Sequence, residues 1–512
     1  MFDWRAWRWT RLSGSRSAGA APIAFEYKVF DKIRRSYPLM IISSIDTGLP
    51  LLRMLALTHI LSLTEVGFVS ILTAFLAFLE LSTDLAVYRF AFSAPRENYE
   101  EALASAHALL VARGLVVSLI GICAAPILAA ALSLGDSWVS FVVIAPAVLL
   151  RSFEHLSPRV AERDFNYWPQ LKTLSLSASI SLIVLVIVAL TTRNHVAIIA
   201  SVYTQSIVVF FASRLVSASP YRLDFTSRFF KAAFRYGYPL AISGLGLAIA
   251  AQGDRFVVAG LFDLKVLAVY AVVMLATTVP ISAFSRFLQS TILARFYHAN
   301  AVRNWLIQEV RVASSAVAIL AACYSGGIIL LANAVVPLVF GPKFQISQFE
   351  MILLGAAAFV RLVRAEPFTA LMLNLGRTRR LAPSSVLASS SLAYMVLFSF
   401  FDRSLTAVLG ARLLGELTSA GVAFVMGRSV AEGGRVIFSF STLFGALCVG
   451  AAGVASMALE RTGASWALLL AASAAYAIVM LLWAALDLRR RMTRLRAAMA
   501  PGPKPESARP GS

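Results

Sequence analysis

Fourteen apolar runs, each close to the length of a membrane-crossing helix, constrain this chain more than any motif. They fall at approximately 39–61, 66–88, 104–132, 137–157, 171–191, 195–214, 237–261, 266–293, 312–340, 349–375, 382–401, 405–427, 437–459 and 465–487. A spanning helix needs roughly 20 mostly apolar residues. Lipid leaves a buried backbone little alternative to the helix, because every N–H and C=O must be satisfied within the segment. The division at "LSLGDSW" is the shortest break among them. Hydrophobic residues make up 59% of the chain and charged residues 14%, and the mean hydropathy is +0.77. Globular domains carry about a quarter charged residues, and no stretch here is polar enough to form one.

The net charge of +20 could point to nucleic acid, but the basic residues form no single patch. They recur in clusters between the apolar runs. With the N-terminus placed inside, about 32 Lys and Arg fall in inner loops and about 5 in outer ones. This alternation predicts an even number of spans with both termini in the cytoplasm. No cleavable signal is visible, since "MFDWRAWRWTRLSGSRSAG" has no apolar core. Trp4, Trp7 and Trp9 alternate with Arg5, Arg8 and Arg11, which suits either a lipid headgroup layer or a basic tail. The outer loops, such as "LSLTE", "RNH" and "FDLK", are too short to carry an active site.

Enzyme signals are poor. His59, His107, His155, His195 and His298 are scattered, no HExxH or GxxxxGK[ST] pattern is present, and no cofactor or metal site is expected. Cys123, Cys323 and Cys448 sit apart in apolar runs, without disulfide or metal-ligand spacing.

Charges within the runs are the informative residues. The bases are Arg53, Arg89, Arg113, Arg151, Arg255, Arg286, Arg361, Arg364 and Arg412; the acids are Asp46, Glu80, Asp84, Asp254, Glu366 and Glu416. Each costs about 2.5–3.5 kcal/mol at mid-bilayer even on a lenient scale, so they must face a wet cavity or one another. Arg89, Arg151 and Arg286 lie near inner helix ends, where they can snorkel. Arg53, Arg113, Arg255, Arg361, Arg364 and Arg412 lie deeper and are the candidate substrate-binding cations. Arg361 and Arg364 share a helix face, and a bound anion would relieve their repulsion. Glu80 and Asp84 form an acidic i,i+4 face that could hold H⁺ or Na⁺, or balance an arginine. Asp46, Asp254, Glu366 and Glu416 are further candidates for ion coupling or counterions. Asp254 and Arg255 point about 100° apart on a helix, so they need not pair. No lysine sits deep in a span. A guanidinium stays ionised and fits phosphate or carboxylate in a bidentate way, which favours an anionic cargo over a drug cation. A network that merely locks helices is the competing reading.

Shifted by about 201 positions, "LRMLALTHILSLTEVGFVSILTAF" lies over "GDRFVVAGLFDLKVLAVYAVVMLA", with Arg53 and Arg255 one residue out of register. The overlap fits two parallel six-helix halves, a familiar transporter plan.

The segment "YGYPLAISGLGLAIAAQGDRFVVAGLFDLKVLAVYAVVMLATTVP" resembles the seventh and eighth helices of bacterial polysaccharide flippases. These are the Wzx-type O-antigen and exopolysaccharide transporters of the multidrug/oligosaccharidyl-lipid/polysaccharide (MOP) superfamily. "LSLTEVGFVSILTAFLAFLELSTDLAVYRF" is similar to their first and second helices, "ERDFNYWPQLKTLSLSAS" to the loop entering the fifth, and "FGPKFQISQFEMILLGAAAFVRLVRAEPFTALMLNLGRTRRL" to their tenth-helix region. Where the family often opens its eighth helix with Gly-x-Tyr, this chain has Ala268-Val269-Tyr270, with Gly67-Phe68-Val69 in the first half.

The resemblance implies an all-α, MATE-like polytopic fold of about 14 transmembrane helices: two pseudo-symmetric six-helix lobes and two C-terminal helices. The expected division is a basic N-terminal segment 1–38, a first lobe 39–214, a linker 215–236, a second lobe 237–427, two further helices within 437–487 and a tail 488–512. It implies a cargo of oligosaccharide on polyprenyl pyrophosphate, flipped across the bacterial inner membrane by alternating access through a cationic cavity, with H⁺ or Na⁺ antiport. Membrane lipids and polysaccharide assembly proteins such as a polymerase are the expected partners; nucleic acid is not. The alternatives are a MATE-type multidrug antiporter and a scaffold for polysaccharide enzymes.

Overall fold

The computed structural model describes residues 23–94, 96–164, 166–226, 228–299, 303–375, 389–428, 440–462 and 466–499, with Pro383, Val386 and Leu387. The Trp/Arg segment at the N-terminus and the Pro-rich tail lie outside these residues. The described chain is helical throughout, in seventeen α-helices joined by short turns. The first lobe contains α1 (Ile23–Ile60), α2 (Leu63–Ser82), α3 (Val87–Ser93), α4 (Tyr99–Ala131), α5 (Trp138–Ile144), α6 (Ala147–Ser152), α7 (Ser157–Val160), α8 (Trp168–Thr192) and α9 (Val196–Val216). After the linker come α10 (Arg228–Leu261), α11 (Leu264–Ala299), α12 (Arg303–Phe340), α13 (Gln348–Asn374), α14 (Ser390–Ser399) and α15 (Leu405–Arg428). The last two are α16 (Phe440–Arg461) and α17 (Trp466–Met499).

Among the described residues eleven helical segments are long and apolar enough to cross a membrane. The three remaining predicted spans fall on α10, α13 and α14. The first two carry Asp254 and Arg255, and Arg361, Arg364 and Glu366, while α14 is described over ten residues. The protein is therefore an all-α, multi-pass membrane protein. The fourth span is two short helices, α5 and α6, broken at Ala145-Pro146, because proline offers no N–H to the helix ladder. Ahead of it, "LSLGDSW" turns through left-handed Ser133 and Gly135 at φ 55° and 56°. Leu115, Ile120 and Ile127 on α4, and Leu470, Ile478 and Leu481 on α17, are exposed, as expected of surfaces that meet lipid.

The two ends of the molecule are built differently. We call the end where α1 begins and α17 finishes the near end, and the opposite one the far end. At the far end one hydrophobic core serves both lobes. It joins Leu57, Leu61, Phe68, Phe141 and Ile198 of the first lobe to Leu267, Tyr270, Phe340, Phe344 and Val408 of the second. At the near end the cores are separate. One gathers Leu85, Leu103, Leu109, Leu156 and Ala233, the other Ile292, Val310, Val317, Phe368 and Leu371. Among the described residues the lobes thus share one core at the far end and have separate ones at the near end.

Backbone contacts fasten the seal. A Cβ on Gly67 would lie 2.0 Å from the Leu264 carbonyl oxygen, so only glycine lets α2 meet the start of α11 this closely. Lys343, in the α12–α13 turn, donates to the Leu61 carbonyl at the end of α1, where the helix dipole favours a cation. Nearby, Ser62 accepts from the Glu65 N–H at 3.3 Å and caps α2. The Glu65 carboxylate reaches away to the start of α9, accepting from the His195 N–H at 2.8 Å.

The lobes are also joined through α10. In its near half Ala233 belongs to the first lobe's core, and Gly237 and Gly244 lie against the Leu85 and Leu81 carbonyls, where a Cβ would come within 2.5 Å. Further along, Gly253 abuts Leu392 of α14. A helix expected to open the second lobe therefore lies, over its near half, on the first. Two histidines hold the linker that leads into it. His107 Nε2 accepts from the Leu156 N–H at 3.1 Å, so its Nδ1 donates to the Arg222 carbonyl at 3.3 Å. His155 Nδ1 accepts from the Ser157 N–H at 3.1 Å, so its Nε2 donates to the Ser219 carbonyl at 3.0 Å. Both rings are buried and in contact at 4.7 Å between centroids, and the Arg214 guanidinium covers Tyr221 at 4.2 Å.

Candidate functional site

The intramembrane charges gather into two clusters, one in each lobe. In the first lobe a cavity of about 220 Å³ is lined by Glu80, Asp84, Arg113, Arg151, Glu154 and Arg159. A smaller one of about 70 Å³ adjoins it, lined by Arg53, Glu80, Arg151 and Gln205. Glu80 and Arg151 border both, joined by an ion pair of 3.1 Å whose side chains are 30% and 43% exposed. Arg159 pairs with Glu154 at 3.0 Å.

Two guanidiniums here are held by neutral groups. Arg53 donates from Nη2 to Ser181 Oγ at 3.0 Å and Gln205 Oε1 at 2.9 Å. Its Nε is buried without a partner among the described residues. Arg113 donates from Nε to Thr83 Oγ1 at 3.1 Å and from Nη2 to the Glu80 carbonyl at 2.6 Å, bridging the end of α2. Neither has a carboxylate within ion-pair distance among the described residues. Such a fork is fixed in place while its charge stays available, which suits recognition of an anionic oxygen. Asp84 Oδ1 accepts from the Ala86 N–H at 2.8 Å, and Asp46, exposed on α1, lies within electrostatic reach of Arg151.

The second cluster is drier and more fully paired. Asp254 Oδ2 accepts from Tyr270 Oη at 2.5 Å and Arg412 Nη1 at 3.2 Å. Arg412 also donates to Tyr270 Oη at 3.2 Å. Arg364 pairs with Glu416 at 3.0 Å, their side chains 11% and 10% exposed. Arg361 lies within electrostatic reach of Arg412, Glu416, Arg364 and Glu366, with no hydrogen bond or ion pair of its own among the described residues. Glu366 is buried beside them.

Arg255 differs from its neighbour. Its backbone N–H donates to Asp254 Oδ1 at 2.9 Å, but its guanidinium has no partner among the described residues. Its spacing from Gly237, Gly244 and Ala248 repeats every seven and four residues, which places it on the α10 face that meets α2.

The six candidate arginines thus divide. Arg364 and Arg412 are engaged by carboxylates, whereas Arg53, Arg113, Arg255 and Arg361 are not. Arg361 and Arg364, expected to share an anion, diverge because Glu416 of α15 reaches only the second. The expected cation excess does not hold for the larger cavity, whose lining has three carboxylates against three guanidiniums. Glu154 and Arg159, just beyond the fourth span, supply one of each. Arg151 lines both cavities instead of snorkelling. Arg89 follows the interfacial expectation, exposed and donating from Nε to Tyr88 Oη at 3.0 Å. The side chain of Arg286 lies outside the described residues. Sequence reasoning missed Glu154, Arg159, Gln205 and Tyr270 as site residues, although Tyr270 was marked by Ala268-Val269-Tyr270.

Residues 56–348 match the profile of a family described as polysaccharide biosynthesis protein. No curated protein matches. Among solved structures the chain is similar to the lipid II flippase MurJ in an inward closed conformation, with TM-score 0.68 and 12% identity over 90% of this chain and 100% of that one. It is also similar to an inward-facing multidrug resistance MATE family transporter of the MOP superfamily, with TM-score 0.58 and 14% identity over 82% and 98%. A point mutant of the Vibrio cholerae MATE transporter VcmN follows at TM-score 0.51 and 12% identity over 80% and 98%. At these identities the likeness establishes the fold.

Proposed function

Starting from a chain that belongs to the polysaccharide biosynthesis protein family, we propose that it flips a polyprenyl-pyrophosphate-linked oligosaccharide across the bacterial inner membrane for surface polysaccharide assembly. The near end is then cytoplasmic, and the separate cores of the lobes there make it the side from which cargo enters. The asymmetry of the cores supports alternating access: the same lobes, parted at the far end and joined at the near end, would release cargo outward.

The carrying observation is the pair Arg53 and Arg113, fixed by neutral acceptors beside the first-lobe cavities. An anionic phosphate oxygen gains charge-assisted hydrogen bonds there that a drug cation cannot make. Arg255 and Arg361 are further candidates for holding pyrophosphate or acidic sugars. Arg364 and Arg412 act instead as helix ties and as reserves of charge. Glu80 and Asp84, bordering the more open cluster, are the best placed to exchange H⁺ or Na⁺. Asp46 offers a further carboxylate on that side, and Asp254, Glu366 and Glu416 serve as counterions. The expected partners are membrane lipids and the polymerase that takes up the flipped repeat unit.

Deletion of the gene tests this reading. The expected outcome is loss of a surface polysaccharide with accumulation of its lipid-linked repeat unit in the cytoplasmic leaflet. Normal polysaccharide with raised sensitivity to cationic drugs would select the MATE-type antiporter.

A further inference from the structure

Residues Lys231, Phe234, Arg235 and Tyr238 repeat at i, i+3, i+4 and i+7 and form one stripe on α10. All four are exposed, Phe234 at 52% and Tyr238 at 49%. The two rings lie stacked at 6.5 Å between centroids. Ala233, Gly237 and Gly244, which pack on the first lobe, lie about 130° round the helix from the stripe. Packing therefore does not account for these side chains, and no described residue of the second lobe covers them.

Depth defines their setting. The helix has 34 residues and is about 51 Å long, against about 30 Å of hydrocarbon. Measured from its far end, residues 228–240 extend past the apolar slab into the headgroup layer of the near side. A lipid-linked pyrophosphate waiting in that leaflet holds its phosphates and first sugar at this level. Two cations and two stacked aromatic faces one turn apart match those groups: the cations the phosphates, the electron-rich ring faces the C–H edges of a sugar.

We propose that the stripe is a loading site, distinct from the first-lobe cavities, that captures the pyrophosphate and first sugar of the cargo before it passes between the lobes. This rests on the flippase reading above. It adds a place of first contact and two separate recognition elements, a phosphate clamp of Lys231 and Arg235 and a sugar platform of Phe234 and Tyr238.

The test is equilibrium binding to the full chain in phosphatidylcholine nanodiscs, with two probes: polyprenyl pyrophosphate, and the same lipid bearing one sugar. Lys231→Gln with Arg235→Gln is expected to weaken both by about tenfold or more. Phe234→Leu with Tyr238→Leu is expected to weaken only the sugar-bearing probe, by about fivefold. All changes at the stripe are on an exposed face, and unchanged monodispersity and helical content verify folding. Unchanged binding in both stripe variants, with the wild type binding both probes, overturns the loading site alone. Displacement of the probes by equimolar phosphatidylglycerol also overturns it, since the stripe then recognises any anionic headgroup. Failure of the wild type to bind either probe overturns both the loading site and the flippase reading.

Discussion

Arg364 and Arg113 show how differently two intramembrane arginines can be held. Arg364 is buried against Glu416 at 3.0 Å, and removing one partner strands the other charge. Arg364→Ala or Glu416→Ala should therefore cost about 3–5 kcal/mol, seen as loss of protein from the membrane. Arg364→Met with Glu416→Leu removes both charges and should restore abundance. Among the described residues Arg113 has only neutral acceptors. Arg113→Lys keeps the charge but loses the fork, so transport should fall sharply at near-normal abundance, as measured by export of lipid-linked repeat units. The same test at Arg255 distinguishes a phosphate grip from a helix tie: loss of transport with normal abundance supports the first. Sequence alone located these charges well, because apolar surroundings make any charge conspicuous. It did not reveal their partners. Glu416 is 52 positions from Arg364, and Ser181 and Gln205 are 128 and 152 from Arg53. Such pairings arise from how helices cross, which periodicity does not encode.

The positions of most spans were legible for a simpler reason: each crossing needs an apolar run of about 20 residues, although helices such as α1 and α10, of 38 and 34 residues, run well past it. The crossing of α10 from one lobe to the other was not, since its glycines could have served either side. Gly67→Ala should disturb the far-end seal, because the obstacle at 2.0 Å is backbone; increased labelling of cysteine placed at Leu61 would report it. The linker makes a separate prediction. Burial holds the His155 imidazole below its ordinary value, with Arg214 adding to the effect and the Ser219 carbonyl and Glu154 opposing it. Above pH about 6.5 the ring is neutral whether folded or not, and the staple has its full strength. As pH falls below that, the unfolded form takes up a proton that the folded one resists, so stability declines. Thermal unfolding of the purified protein from pH 7.5 to 5 should show this decline, and His155→Gln should lose part of it.

For the whole molecule, reporter fusions at His195 and Lys343 should read as external and one at Arg377 as internal; reversal at two of the three would reject the orientation. The positive-inside pattern predicts this arrangement without any structure. It carries no information on which end is shut, because loops and charges are the same in either state. That is decided by side chains such as Phe344 and Tyr270, fully buried where the lobes meet. The joint is mostly apolar, and parting it admits water to surfaces that are dry when shut. Wetting apolar surface raises heat capacity, so the balance between the shut and parted forms must curve with temperature. Hydrophobic closure weakens on cooling. A chilled membrane should therefore hold more molecules parted at the far end.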